Sequence, residues 1–534
     1  MNTNNVLSAL LSALVLVLPI TAVGQYTNVR VSSTSSTSPE EVVIAINPAN
    51  PLNLAAGANL NFYYYSTNGG LNWTQGTLSS TLGVWGDPCV VFDATGNLYY
   101  GHLSNPSGGS WLDRIVVQKS TNGGAAWSSG VGIGLNPPKD QDKEWIAVDM
   151  TNSPYWNRIY VSWTEFDSYG SASPTDSSRI LLSRSTDFGQ TWSTPVRLSD
   201  RGGDCIDSDN TVEGVVPAIG PNGEVYVAWS GPLGIMFDKS TDGGTTFGTD
   251  VFVTSQPGGW DFDIPGIYRC NGLPITACDV SNSPYRGTIY VLWSDQRNGI
   301  NNTDVSICKS SDGGQSWSQS KRVNDDTGVA QQFFPWFTID QTTGFLYAAF
   351  YDRRNTTGNV TEVFVARSTD GGETFQNFRV SASSFTPSAS VFFGDYIGIA
   401  AHNRMVYPIW ARMDGSSLSV WTAIFNDSVV TSVIGGPEIP SAVSLSQNYP
   451  NPFNPNTMIR FELPSARTNT DGYAFVSLKV YDVVGKEVAT LVEHELRPGR
   501  HEVMFDGSNL ASGVYCYRLQ AGGHLETRKL VLLR

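Results

Sequence analysis

Ser185-Thr-Asp-Phe-Gly-Gln-Thr-Trp192 is one of six copies of the same octapeptide. The others are Ser66–Trp73, Ser120–Trp127, Ser240–Phe247, Ser310–Trp317 and Ser368–Phe375. Each has Ser first, Asp or Asn third (Asn68, Asn122, Asp187, Asp242, Asp312, Asp370), Gly fifth and an aromatic eighth. Recurrence at roughly 55–70 residues signals a repeat architecture. The residues are those of a tight hairpin. Asp or Asn folds its side chain back onto nearby backbone N–H groups. The fixed glycine takes a positive φ that other residues resist. The aromatic starts the next strand and plugs into a core.

Each octapeptide sits in a longer unit. An apolar run ends near Asp, as in Cys89-Val-Val-Phe-Asp93 and Trp336-Phe-Thr-Ile-Asp340. A second strand follows, as in Ile159-Tyr-Val-Ser-Trp163, Val225-Tyr-Val-Ala-Trp229 and Ile289-Tyr-Val-Leu-Trp293. A third, such as Ile115-Val-Val-Gln118, leads into the octapeptide. Short strands rich in Val, Ile, Tyr and Trp between Gly, Asn and Asp turns are an all-β signature. Four strands per unit make a propeller blade.

The octapeptide resembles the Asp box of the sialidase-like, or BNR-repeat, β-propellers. The first two copies depart from the pattern, with Asn68 and Asn122 at position three and Asn72 and Ala126 at position seven. Asn preserves the turn. Inner strands starting near Val42, Pro88, Glu144, Val215, Ile275, Pro335 and Asp395 give seven units, the last without a box. Val29-Arg-Val-Ser32 repeats the outer-strand pattern of Lys321-Arg-Val-Asn324 and Phe378-Arg-Val-Ser381. It is expected to complete the seventh blade and so remove open sheet edges. Six blades, as in the sialidases, is the alternative.

Two segments lie outside the propeller, which is assigned to residues 25–434. Residues 1–24 carry an apolar run ending at Ala22-Val-Gly24, read as a secretory signal peptide. Residues 435–444 read as a linker, and 445–534 as a small Ig-like β-sandwich of strands around Gly turns. Its Leu445-Ser-Gln-Asn-Tyr-Pro-Asn-Pro-Phe-Asn-Pro455, Leu510-Ala-Ser-Gly-Val-Tyr515 and Lys529-Leu-Val-Leu-Leu-Arg534 resemble the type A C-terminal sorting domain of the type IX secretion system. That resemblance implies the secretion machinery as a partner and a secreted or surface-attached product. No stretch of the mature chain reads as a membrane span.

The net charge of −15 disfavours nucleic acid and anionic membranes as partners. Six cysteines suit an exported protein without forming a dense framework. Cys205 and Cys270, both in loops, are a candidate disulfide.

In a propeller, loops after second strands and before inner strands open on one face, opposite the boxes. The first group supplies Glu165, Asp295, Arg297, Tyr351, Asp352, Arg353, Arg354, Arg412 and Asp414. The second supplies Asp87, Asp142-Lys-Glu144, Glu213, Asp395 and Tyr396. All are expected at the channel mouth. Catalytic candidates are Glu165, Glu213, Asp295, Asp352 and Asp395, because paired carboxylates perform acid–base work on glycosides. Ligand-binding candidates are Arg297, Arg353, Arg354, Arg412, Tyr351 and Tyr396, because arginines clamp carboxylates. The same Asp–Arg pairs also suit inter-blade salt bridges. The resemblance implies an arginine triad, an Asp acid/base and a Tyr–Glu nucleophile. Its first arginine has only Arg30 as counterpart, on an outer strand and without the family's proline. Asp204, Asp207 and Asp209 form an oxygen-rich loop suggestive of structural calcium. No other cofactor is indicated. The sequence therefore supports a surface-displayed propeller binding an extracellular glycan or protein, with an exo-acting sialidase-like glycoside hydrolase as alternative.

Overall fold

The computed structural model describes residues 26–33, 38–427, 443–448, 450–464, 474–496 and 499–533. The expected signal peptide and most of the 435–444 linker lie outside them. The chain divides into two compact units at Ser428/Val429.

Among its described residues the first unit contains seven four-stranded antiparallel sheets. Blades I to VI span residues 43–77, 89–133, 140–197, 213–254, 275–322 and 332–379. Blade VII combines Gly398–His402, Met405–Asp414 and Ser417–Asn426 with Thr27–Arg30 as its outer strand. Thr27 pairs with Ile424 and Arg30 with Trp421. Each inner strand packs against that of the next blade, and blade VII against blade I. The N-terminal strand closes the ring by covering the edge of Ser417–Asn426.

Second strands run between blades and are buried on both faces. Ile159–Phe166, Val225–Ser230 and Ile289–Asp295 are buried throughout. Their aromatics pack back on the preceding blade. Trp163 shares a core cluster with Ile115 and Val117, Trp229 with Ile180 and Leu182, and Trp293 with Ile235 and Phe237. Burying one such side chain stabilises by about 1.5–3 kcal/mol.

The Asp boxes join third to outer strands. In every copy the Ser Oγ donates to the Asx Oδ1, from 2.7 Å at Ser310–Asp312 to 3.0 Å at Ser66–Asn68. That Oδ1 also accepts the N–H of position seven, Asn72 and Ala126 included. In the four Asp copies the hydroxyl at position seven donates to Oδ2. The two Asn copies lack both hydroxyl and second oxygen yet keep the turn. The position-four carbonyl is gripped by the preceding blade. Asn53 Nδ2 donates to Gly123 O at 3.0 Å, Arg158 to Gly243 O at 2.7 Å and Lys309 to Gly371 O at 2.8 Å. The boxes are thus turns and inter-blade clasps.

The second unit packs a three-stranded sheet and a four-stranded sheet over one core that includes Ile459, Phe461, Val476, Leu478, Tyr517 and Leu530. Tyr517 explains part of its opening motif. Its hydroxyl donates to Ser446 O at 2.6 Å and accepts Asn448 N–H at 2.8 Å.

Candidate functional site

Inner strands begin at the channel mouth through an unusual backbone device. Glu41, Asp87, Lys143, Gly214 and Phe334 have φ of 55, 51, 52, 79 and 48°. Each lies two residues before the first regularly paired residue of its inner strand, and in blades III, IV and VI it falls within a bulge. Left-handed backbone is uncommon outside glycine and concentrates at functional sites. Here the left-handed positions Glu41, Asp87 and Lys143 lie on consecutive blades, and their side chains meet.

Lys143 Nζ is the hub. It lies 2.6 Å from Asp395 Oδ2, 3.1 Å from Asp87 Oδ2 and 3.8 Å from Glu41 Oε1. Arg269, on the loop between blades IV and V, donates from Nε to Asp395 Oδ1 at 2.9 Å and lies 4.0 Å from Asp207 Oδ2. Tyr169 donates its hydroxyl to Asp207, and Asn271 donates to the Asp395 carbonyl at 3.1 Å.

These acids differ in protonation. Burial alone would raise Asp395; Lys143 and Arg269 override it and hold the carboxyl well below the usual carboxylate range. Burial, reinforced by Asp87, pushes Asp142 up to about 8. Burial alone takes Glu40 to about 8. Glu213 is raised by burial, Asp207 and Asp142. Neither Glu213 oxygen receives a hydrogen bond, and only as a protonated acid can it donate to Asp207.

A cleft of about 280 Å³ opens over Lys143. Its floor includes Glu40, Glu41, Asp87 and Asp142, and its walls are aromatic. Trp85 and Trp111 are 39 % and 45 % exposed, with ring centroids 6.1 Å apart and edge to face. Trp111 continues edge to face onto Tyr169 at 5.9 Å. Phe392 lines the same cleft, beneath the Arg269 guanidinium at 4.9 Å. Deeper in the channel, Trp145 and Trp336 stack at 4.2 Å beside Tyr396.

The structure gathers Glu213, Asp395 and Tyr396 around this centre, with Asp207 beside them. The expectation that the other rim residues line it needs correction. Asp295, Asp352 and Tyr351 are fully buried, and the arginines point outward between blades. Arg297 returns to Asp295 and reaches Ser320 and the Ser255 carbonyl, at the outer edges of blades V and IV. Arg354 binds Asp352 at 2.7 Å, Asp325 after blade V, and Asn377 on the outer strand of blade VI. Arg412 binds Asp414 and, at 2.7 Å, Ser383 beyond blade VI. Each is a brace to the preceding blade. Glu165 is tied to Arg179 and Lys139, and Tyr351 donates to the Ala411 carbonyl. Arg353 is buried over the Phe333 ring and lines a separate groove.

The Asp204 loop is turned to different partners. Asp204 accepts from Thr211, Asp209 from the Asp261 N–H and Asp207 from Tyr169. Among the described residues no group of three acids, cysteines or histidines is placed to hold a metal. Cys205 and Cys270 are separate buried thiols, not a disulfide. Arg30 sits on the outer strand of blade VII, away from the mouth.

Sequence reasoning missed Glu41, Arg269, Trp85 and Trp111. Glu41 carried a usable signal, its offset from the inner strand being that of Asp87 and Lys143.

Residues 447–533 match the family described as the secretion system C-terminal sorting domain. The chain therefore carries a type IX export signal and is secreted or displayed at the cell surface. Among the described residues no helix is long and apolar enough to cross a membrane. No curated protein matches the sequence. Solved structures that it resembles include a protein of unknown function from Dyadobacter fermentans, with 11 % identity, TM-score 0.42, and 75 % of this chain and 98 % of that one covered. An ulvan lyase matches at 13 % identity and TM-score 0.44, covering 73 % and 95 %. Trypanosoma rangeli sialidase matches at 11 % and 0.37, covering 86 % and 85 %. With scores this low, the propeller assignment rests on strand order.

Proposed function

We propose that the cleft over Lys143 binds an extracellular glycan once the chain has been exported. The observation that carries this is the pair of half-exposed tryptophans, Trp85 and Trp111, beside a floor of buried carboxyl groups. Adjacent exposed aromatic rings in a cleft form the kind of contiguous apolar patch that marks a binding site. Aromatic faces pack against the C–H faces of sugar rings, and carboxyl groups bond their hydroxyls. Titration of the purified chain against a panel of neutral, amino and acidic oligosaccharides tests it. Binding weakened about ten-fold or more by Trp111→Ala, with unchanged thermal stability, supports the reading. Failure of every oligosaccharide to bind defeats it.

One observation favours a second reading, hydrolysis of the bound glycan. Burial pushes the carboxyl of Asp142, which lines the cleft, up to about 8, while Lys143 and Arg269 hold Asp395 against burial well below the usual carboxylate range. Environments that push two acids apart are how an acid and a base are assigned. Turnover of a fluorogenic glycoside, lost in Asp142→Asn, is the expected result; absence of turnover across the panel leaves binding alone.

A further inference from the structure

Both cations at the mouth are already paired with acids of the protein, although the Arg269 side chain stays 43 % exposed. Lys143 is shared by Asp395, Asp87 and Glu41, and Arg269 is fixed on Asp395. Four carboxyl groups, Glu40, Glu41, Asp87 and Asp142, line the cleft against two cations, each of which already has a carboxylate partner. The acids are in surplus. Glu40 is 8 % exposed and lines the cleft, yet its Oε2 has no hydrogen-bond partner. A buried carboxyl oxygen without a donor is costly. A hydroxyl satisfies it with one bond; an ammonium satisfies it with a charge-assisted one. The rings of Trp85, Trp111 and Tyr169 line the walls, and aromatic faces attract cations.

We propose that the cleft selects a glycan bearing a free amino group, held as ammonium between Glu40 and the Trp85–Trp111 wall, over neutral and acidic glycans. The inference rests on the glycan-binding reading and narrows it to amino sugars. Burial leaves Glu40 and Asp142 holding protons for want of a counter-charge, and an incoming ammonium supplies one.

The test is calorimetric titration of the full mature chain with three tetrasaccharides of glucosamine, N-acetylglucosamine and galacturonate. The glucosamine tetramer is expected to bind at least ten-fold tighter than the N-acetylated one, with no binding of the uronate. In Glu40→Gln, folded as judged by circular dichroism, the preference falls below about three-fold. Equal or tighter binding of the N-acetylated or uronate oligomer overturns the inference and leaves glycan binding standing. Full preference retained in Glu40→Gln also overturns it, because the attraction then comes from the overall charge of −15. If none of the three binds while another oligosaccharide of the panel does, the inference falls and glycan binding stands; if nothing in the panel binds, both fall.

Discussion

Lys143 Nζ lies 2.6 Å from Asp395 Oδ2, joining the start of the third blade's inner strand to that of the seventh across 252 positions. The contact exists only in the closed ring. Removing one partner of a buried pair costs about 3–5 kcal/mol, since the other charge stays buried. Lys143→Met leaves Asp87 and Glu41 without their shared cation. Its thermal midpoint at pH 7 is expected to drop by several degrees, read by circular dichroism. An unchanged midpoint would show that the cluster is solvated.

The surplus acids set a pH dependence. Glu40 and Asp142 titrate near 8 in the folded chain, against about 4 unfolded. Their folded-state pKa values are raised, so their stabilising contribution is full below about pH 4 and is lost as pH rises through 8. Asp395 has the opposite sign, but its folded pKa is depressed, so its loss falls below the unfolded value. Between pH 5 and 8.5 the thermal midpoint should therefore fall. The double variant Glu40→Gln, Asp142→Asn should make that slope shallower without abolishing it, because burial also raises Glu41, Glu144 and Glu213. A midpoint rising toward pH 8 would refute the assignment.

The N-terminal strand is expected to behave as a latch. Thr27–Arg30 covers the edge of Ser417–Asn426, and Asn28 binds the Val380 carbonyl at 2.9 Å in the neighbouring blade. Deleting residues 26–33 exposes a strand edge, a template for intermolecular pairing. Light scattering should show concentration-dependent association of the deletion and none of the parent. A monomeric deletion with the parent's midpoint would contradict the closure role.

Arg354 separates bracing from binding. Asp352 is fully buried beneath it. Arg354→Ala is expected to lower stability by about 3–5 kcal/mol, the cost of orphaning a buried carboxylate. Its affinity for a bound oligosaccharide at the mouth should stay within about two-fold. The reverse pattern, intact stability with lost binding, would move the site to the blade VI rim.

What was legible in the sequence was local. Ser185–Trp192 carries its turn chemistry within eight residues, and Val29-Arg-Val-Ser32 copies its fellow outer strands. The site was legible only in part. Asp87, Glu213 and Asp395 are marked by position before inner strands. That Lys143 would serve three acids depends on left-handed backbone at Glu41, Asp87 and Lys143 and on ring closure, which brings Asp395 to it. Asp295 and Arg297 show the converse. An acid and a base beside a strand end look the same whether they face the channel or the gap between blades. Ser255 and Ser320, on outer edges far away in sequence, decide it.

The most direct measurement is a crystal structure of the mature propeller with a bound oligosaccharide. Sugar density packed on Trp85 and Trp111, with polar atoms bonded to Glu40, Asp87 or Asp142, is the expected result. Sugar density confined to the groove beside Arg353, with the cleft over Lys143 empty, would contradict it.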